Sequence, residues 1–380
     1  MATDSIQLAC ESCGEVVSFP AGRAGQTDVC PECFEYIDLP QIEASPRPAG
    51  SLPSIANPAC SALSFEHVDD LPRPQWDAFC QHVFDELPEP RWHDVFLEAA
   101  RDWLETLAAA LTGSYSTSES PNFFLLSALP ADETERLLDF CEATRNTILS
   151  HLEGIAADAG YGKHVLLAFA DVETYYTYVS HFHAEGESGG SGGMFLADGY
   201  QHIALHAARH WLYRTIGHEL THACLAHLPL PLWLNEGVTQ EMEDVLLRQR
   251  TFEASIELTQ RQKRYWREHS LESFWSGEAF RAADEGQELA YALARILVRN
   301  LTVDFREAFP EFVQTAEARD GGQAAAVNVF GLTLGQAAAQ YLGEGAWDPQ
   351  GESYAPDERS ARRSRSRFAI SASNPRSTGS

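Results

Sequence analysis

His218-Glu219-Leu220-Thr221-His222, followed after a short interval by Trp233-Leu234-Asn235-Glu236-Gly237, is the stretch from which the rest of the chain is read. In a helix, His218 and His222 stand at i and i+4 and project from one face. Two neutral imidazoles there can bind one Zn²⁺, and Glu219 sits beside them without having to be a ligand. A catalytic zinc takes three protein ligands and keeps one position for water. Glu236 is the natural third ligand, because a second helix beginning near Asn235 returns its carboxylate to the metal. Water on such a zinc is acidified towards a pKa of ~7, and Glu219 can take its proton as general base and later pass it to the leaving amine. The bland alternative is a buried helix whose histidines hydrogen-bond to neighbours.

The flanks favour the metal reading. Ile203-Ala204-Leu205 through Ala226-His227 reads as one long, largely apolar helix, and Pro229 and Pro231 then break the chain so that it doubles back. The segment resembles the gluzincin metallopeptidases, most of all the peptidase MA-like group, in which a short separation of H-E-x-x-H from W-x-x-E-G is typical. The resemblance runs from about Ser120 to Leu342. It implies an α+β, zincin-like metallopeptidase domain (a small mixed sheet plus helices), with His218, His222 and Glu236 holding a catalytic Zn²⁺ and Glu219 as the catalytic carboxylate. It also places a tyrosine on a helix well downstream as donor to the oxyanion, a slot that Tyr291 fits; a tyrosine merely packed at the surface is the alternative. Some gluzincins carry an aspartate one turn beyond the third ligand. Here Gln240 stands there, with Glu241 and Asp244 as possible substitutes.

Bulk composition narrows the partners. The length of 380 residues allows two or three domains. No run approaches the ~18 to 20 apolar residues of a membrane span. Met1-Ala2-Thr3-Asp4-Ser5 lacks the character of a signal peptide, so a cytoplasmic location is expected. A net charge of −28 argues against nucleic acid or anionic membrane as a partner.

Residues 1–40 carry Cys10-Glu-Ser-Cys13 and Cys30-Pro-Glu-Cys33, two knuckles with the spacing of a four-thiolate structural zinc site. Val16, Val17 and Phe19 are too few to fold so short a segment without metal. The expectation is a zinc ribbon with a structural Zn²⁺ and a possible protein partner, since Arg23 is its single basic residue. Cys60, Cys80, Cys141 and Cys224 are scattered and read as small apolar residues. Cys224 falls about 200° round the helix from His222, hence in the core.

Residues 41–63, rich in Pro, Ser and Ala, read as a linker, and 64–115 as a helical spacer whose aromatic stripe (Trp76, Phe79, Trp92, Phe96, Trp103) packs against the next domain. The zincin-like domain then spans 116–345. Strands are expected at Asn122 to Ser127 and His164 to Ala170, and helices at Asp132 to Ala157 and Asp171 to Phe182. A glycine-rich loop follows, Gly186 to Gly193, without the Lys-Ser/Thr of a phosphate cradle. Met194 to Ala197 and Gln201 to Leu205 read as strands joined at Asp198-Gly199, in competition with the long helix above for residues 203–205. Met194, Phe195, Leu196 and Ala197 form the candidate edge on which a peptide substrate adds as a further strand. Where aminopeptidases of this class carry a glutamate for the free amine, this chain has Gly192-Gly193-Met194-Phe195, which argues against that activity.

Downstream helices are expected at Val238 to Phe252 and Gln287 to Leu301. Residues 346–380, with six arginines between Arg359 and Arg376, read as a disordered Arg/Ser-rich tail. Taken together, the sequence points to a zinc metallopeptidase acting on peptide or protein. The rivals are a silent zincin-fold scaffold working through its ribbon, and a zinc hydrolase of a non-peptide amide.

Overall fold

The computed structural model describes residues 5–10, 14–20, 27–29, 36–38, 63–182, 192–207, 212–248, 252–282, 284–351 and 354. The chain opens with two short antiparallel hairpins, β1 (Ser5–Ala9) with β2 (Val16–Pro20) and β3 (Thr27–Val29) with β4 (Tyr36–Asp38). Leu8, Cys10, Val17, Phe19 and Ile37 form their small apolar cluster. A further hairpin, β5 (Phe65–Val68) and β6 (Leu71–Pro74), leads into α1 (Trp76–Glu86) and α2 (Trp92–Ala110). Next come β7 (Ser116–Glu119), β8 (Phe123–Ser127), α3 (Ala131–His151), β9 (His164–Phe169), α4 (Val172–Ser180), β10 (Gly193–Leu196) and β11 (His202–His206). The remainder is helical: α5 (Leu212–Leu225), α6 (Leu232–Leu246), α7 (Ile256–Tyr265), α8 (Glu272–Trp275), α9 (Glu285–Asp304), α10 (Phe309–Thr315), α11 (Gln323–Phe330) and α12 (Leu334–Leu342).

Five strands make one mixed sheet in the order β10-β11-β9-β8-β7. The centre is parallel (β11 with β9, β9 with β8) and both outer pairs are antiparallel. Because strand side chains alternate, the sheet feeds two cores. Phe124, Leu126, Val165, Leu167, Met194, Leu196 and Ala204 face α1, α2 and α4. Phe123, Leu125, Leu166, Ala168, Phe195, Ile203 and Leu205 face α3 and α5. The run Phe-Phe-Leu-Leu-Ser of β8 is buried throughout, as expected of a strand covered on both faces. A third core joins α6 to the C-terminal helices around Trp233, Trp266, Phe274, Trp275 and Phe312.

Several expectations need correcting. The long helix expected from Ile203 to His227 is divided: residues 202–206 are strand β11, and helix α5 is described from Leu212. Ile203 and Leu205 enter one core and Ala204 the other, a period of two, and ladders on both sides outweigh helical propensity. Residues 64–115, expected as a helical spacer packed on the next domain, are not helical throughout. They begin with a hairpin, and their aromatic stripe is continuous with the sheet's core, Trp76 packing on Tyr200 and Trp103 on His202. The helix expected to reach Ala157 stops at His151, and that expected to reach Phe252 stops at Leu246.

The first residues of the expected tail are packed. Residues 346–351 and Tyr354 pack on the helical core: Trp275 Nε1 donates to the Trp347 carbonyl at 2.8 Å, and Tyr354 Oη to Glu272 at 2.8 Å. The glycine-rich loop up to residue 191, nearly all of the linker and residues 355–380 lie outside the described residues. No helix among the described residues is long and apolar enough to cross a membrane.

Candidate metal centre

Two helices build the site. On α5, Ile216, Leu220, Ala223 and Cys224 recur at helical spacing and bury against the sheet, which turns His218 and His222 towards α6. Cys224 is thereby core, as expected, and burial pushes its thiol up to about 12. Pro231 caps α6: its carbonyl accepts from the amides of Leu234 and Asn235, both at 3.0 Å. Buried Trp233 anchors this start by donating Nε1 to the Gly321 carbonyl at 2.9 Å. Gly237 then admits α9, since a Cβ there would sit 2.8 Å from the Ala294 carbonyl oxygen. Its lack of a side chain lets α6, which also carries Glu236, pack closely on α9.

His218, His222 and Glu236 converge, with one ligand atom from each within 4.8 Å of the others. The two Nε2 atoms are 3.1 Å apart, and Glu236 Oε2 lies 3.7 Å from that of His218 and 3.6 Å from that of His222. Both Nδ1 atoms face acceptors: His218 Nδ1 is 2.8 Å from Glu243 Oε1, and His222 Nδ1 is 2.9 Å from Asn235 Oδ1. An ionised carboxylate only accepts, so His218 donates through Nδ1 and its Nε2 is left for the centre. Three electron-rich atoms pointed at one another call for a positive charge between them. His218 reports that demand. Burial opposes its ionisation, yet the hydrogen bond it donates to Glu243 and the charges of Glu219, Glu236 and Glu243 raise its pKa to about 9. Two imidazole nitrogens and a carboxylate oxygen, with the outer nitrogens already oriented, match the donor set of a divalent zinc site.

Arg214 extends the chain outward, donating Nη2 to Glu243 Oε2 at 2.7 Å. Burial opposes ionisation of Glu243, but His218 and Arg214 together hold its carboxyl below the ordinary glutamate value. Glu219 is placed differently. Its Oε2 accepts the backbone N–H of Phe195 at 2.7 Å, which ties the carboxylate to β10. A cavity of about 250 Å³ opens here, lined by Gly192, Gly193, Thr215, His218 and Glu219 among others.

Strand β10, Gly193–Leu196 where Met194 to Ala197 was expected, ends the sheet among the described residues. All four side chains are buried, at 6, 6, 3 and 8% exposure, so they are not available as contacts. The Gly192 carbonyl accepts from His206, so by alternation Gly193, Phe195 and Ala197 direct their backbone groups away from β11.

Tyr291 lies on α9 with its ring against Phe280, centroids 5.1 Å apart, and its carbonyl oxygen 3.4 Å from Gln240 Nε2. Gln240 is thus directed to α9 and not to the histidines. Glu241 and Asp244 are also engaged elsewhere, by Arg295 and Arg299. The orienting residues that sequence reasoning missed are Glu243 and Asn235. Glu243 had a readable signal, since it stands seven residues after Glu236 and therefore on the same helical face. Asn235, adjacent to Glu236, had none.

Of the four knuckle cysteines, only Cys10 is described. It is buried, its amide donates to the Glu15 carbonyl and its own carbonyl accepts from Gly14, both at 2.8 Å, with Gly14 at positive φ. Cys13, Cys30 and Cys33 lie outside the described residues. A second trio, Asp158, His164 and Cys224, is also close. There Asp158 is already bridged to Arg145 and to His164 Nε2, an arrangement that uses its oxygens and sets a cation beside them.

Neither the protein-family models nor the curated protein sequences contain a match to this chain.

Proposed function

We propose that the chain is a zinc-dependent peptidase of gluzincin type, built on a zincin-like domain. The observation that carries this reading is the convergence of His218, His222 and Glu236 within 4.8 Å, beside Glu219. His218 Nε2, His222 Nε2 and a Glu236 carboxylate oxygen would hold the metal. A bound Zn²⁺ supplies an acidified water and a Lewis acid for the scissile carbonyl. Glu243 and Asn235 orient the imidazoles. Glu219 takes the proton of the attacking water and returns it to the leaving amine. With Oε2 held by the Phe195 amide, Oε1 is the oxygen left to move that proton. Tyr291 is assigned the oxyanion, on the family resemblance alone.

A peptide is preferred over another amide on the family resemblance, with β10, tied to Glu219 through Phe195, as the strand beside which an extended polypeptide would lie. The N-terminal hairpins, with the buried Cys10 turn, are assigned a structural Zn²⁺ and a protein-facing role. Digestion of a peptide library with and without chelator, alongside Glu219→Gln, is the test. Cleavage that needs metal and vanishes in Glu219→Gln while metal stays bound supports the reading. A metal-loaded protein that cleaves no peptide leaves the scaffold and the non-peptide hydrolase, and the reading falls.

A further inference from the structure

On the opposite face of the sheet from the histidines lies a cavity of about 440 Å³. It is enclosed by the β5–β6 hairpin, the start of α1, α2, the end of α4 and the turn after β10. Its floor holds Arg73, which is only 4% exposed. The guanidinium is fixed on two sides. Nη2 donates to the Tyr178 carbonyl at 2.9 Å, and the group lies 4.0 Å from the Tyr178 ring centroid and 5.1 Å from that of Phe182. Yet Nε and Nη1 are buried with no hydrogen-bond partner among the described residues, and so is Nε1 of Trp103 in the same wall.

This is an expensive arrangement. A buried cation without a hydrogen-bonded counter-ion destabilises the folded state, and each buried donor left unmade adds to that. Asp69 acts on Arg73 only at a distance, and burial lowers the Arg73 pKa. An apolar side chain would close this corner of the core at less cost. Arg73 and Trp103 both line a cavity of ligand size, so a ligand group that reaches these covered nitrogens with a small shift of the side chains over them is the natural acceptor.

The rest of the lining narrows its chemistry. A planar guanidinium fork held in place suits a carboxylate. Glu66, Asp77 and Asp198 line the same cavity and suit an ammonium group. Trp76, Trp103 and Phe182 supply apolar wall between the two. A net charge of −28 repels a simple anion but does not repel a molecule of zero net charge. We infer that this cavity binds a small amphoteric molecule, a free amino acid or short peptide with an apolar side chain, its carboxylate on Arg73 and Trp103 Nε1 and its ammonium at the acidic rim. The inference does not depend on the metal centre, which lies across the sheet.

The test is titration of the full chain, followed by calorimetry and by the fluorescence of its tryptophans, with phenylalanine, leucine and the dipeptide of the two. Phenethylamine, N-acetylphenylalanine and inorganic phosphate serve as controls. Saturable binding of an unblocked amino acid or the dipeptide is expected, with about tenfold or greater weakening when the carboxylate is absent or the amine is blocked. Arg73→Met should weaken binding by at least about tenfold while leaving the melting temperature of the unbound protein unchanged or higher. Absence of binding by every amino acid and the dipeptide, or wild-type affinity in Arg73→Met, overturns the inference. So does a lowered melting temperature of unbound Arg73→Met, which would make the arginine a structural support. Phosphate binding as tightly as the amino acids overturns the amphoteric assignment.

Discussion

Glu243 Oε1 stands 2.8 Å from His218 Nδ1, two helical turns beyond the carboxylate of Glu236 that faces the other nitrogen of the same ring. One face of α6 therefore grips His218 from both sides, with Glu236 at the centre and Glu243 behind. Since Glu243 is itself fixed by Arg214, the imidazole is held by a chain of charges that reaches the surface.

Loss of that grip should be felt in metal affinity before stability. Glu243→Gln and Asn235→Ala are each expected to weaken zinc binding about 10- to 100-fold, the usual effect of removing a group that orients a ligating histidine. Competition against a chromophoric chelator measures this, and affinities equal to wild type would separate these residues from the metal.

Zinc should also stabilise the fold through mass action, because the three ligand atoms converge only in the folded chain. At free zinc near 100 times the dissociation constant the gain is about 2.7 kcal/mol, read as a rise in melting temperature. His222→Ala should abolish the part that belongs to this centre, while Cys10→Ser should remove only the part due to the N-terminal hairpins.

Gly237 predicts a packing effect transmitted to chemistry. In Gly237→Ala the new methyl meets the Ala294 carbonyl and Val298, so α6 and α9 must separate. A destabilisation of about 1–3 kcal/mol in urea unfolding is expected, with weaker zinc binding because Glu236 moves with its helix. An unaltered midpoint would show that the two helices yield without strain.

A pH dependence follows from His202. Burial, together with Arg73, outweighs the hydrogen bond to the Tyr200 carbonyl and lowers its pKa to about 4. Its neutral form is favoured in the folded state, so its contribution is full above the unfolded value of ~6.5 and is lost as pH falls towards 4. The loss is on the order of 3 kcal/mol. Unfolding midpoints between neutral and acid pH should decline less steeply in His202→Gln, and parallel curves would show that other groups carry the acid sensitivity.

Amino-acid order alone determined what is periodic or adjacent. The i, i+4 histidines, the proline break before Glu236, the Asp198-Gly199 turn and the hairpin-forming strand at Met194 were all legible, because each depends on spacing along a single element. Tertiary structure decided the rest. Residues 203–205 suit a helix or a strand, and only pairing to both β9 and β10 made them a strand. Gln240, Glu241 and Asp244 were indistinguishable as partners until the crossing of α6 with α5 and α9 sent all three to α9 and left Glu243 to His218. Arg73 reads as an ordinary hairpin residue, and its burial without an acceptor depends on Tyr178, a residue far along the chain. Spacing fixes which side chains share a face. What that face meets depends on helix crossing and strand pairing, which join residues distant in sequence.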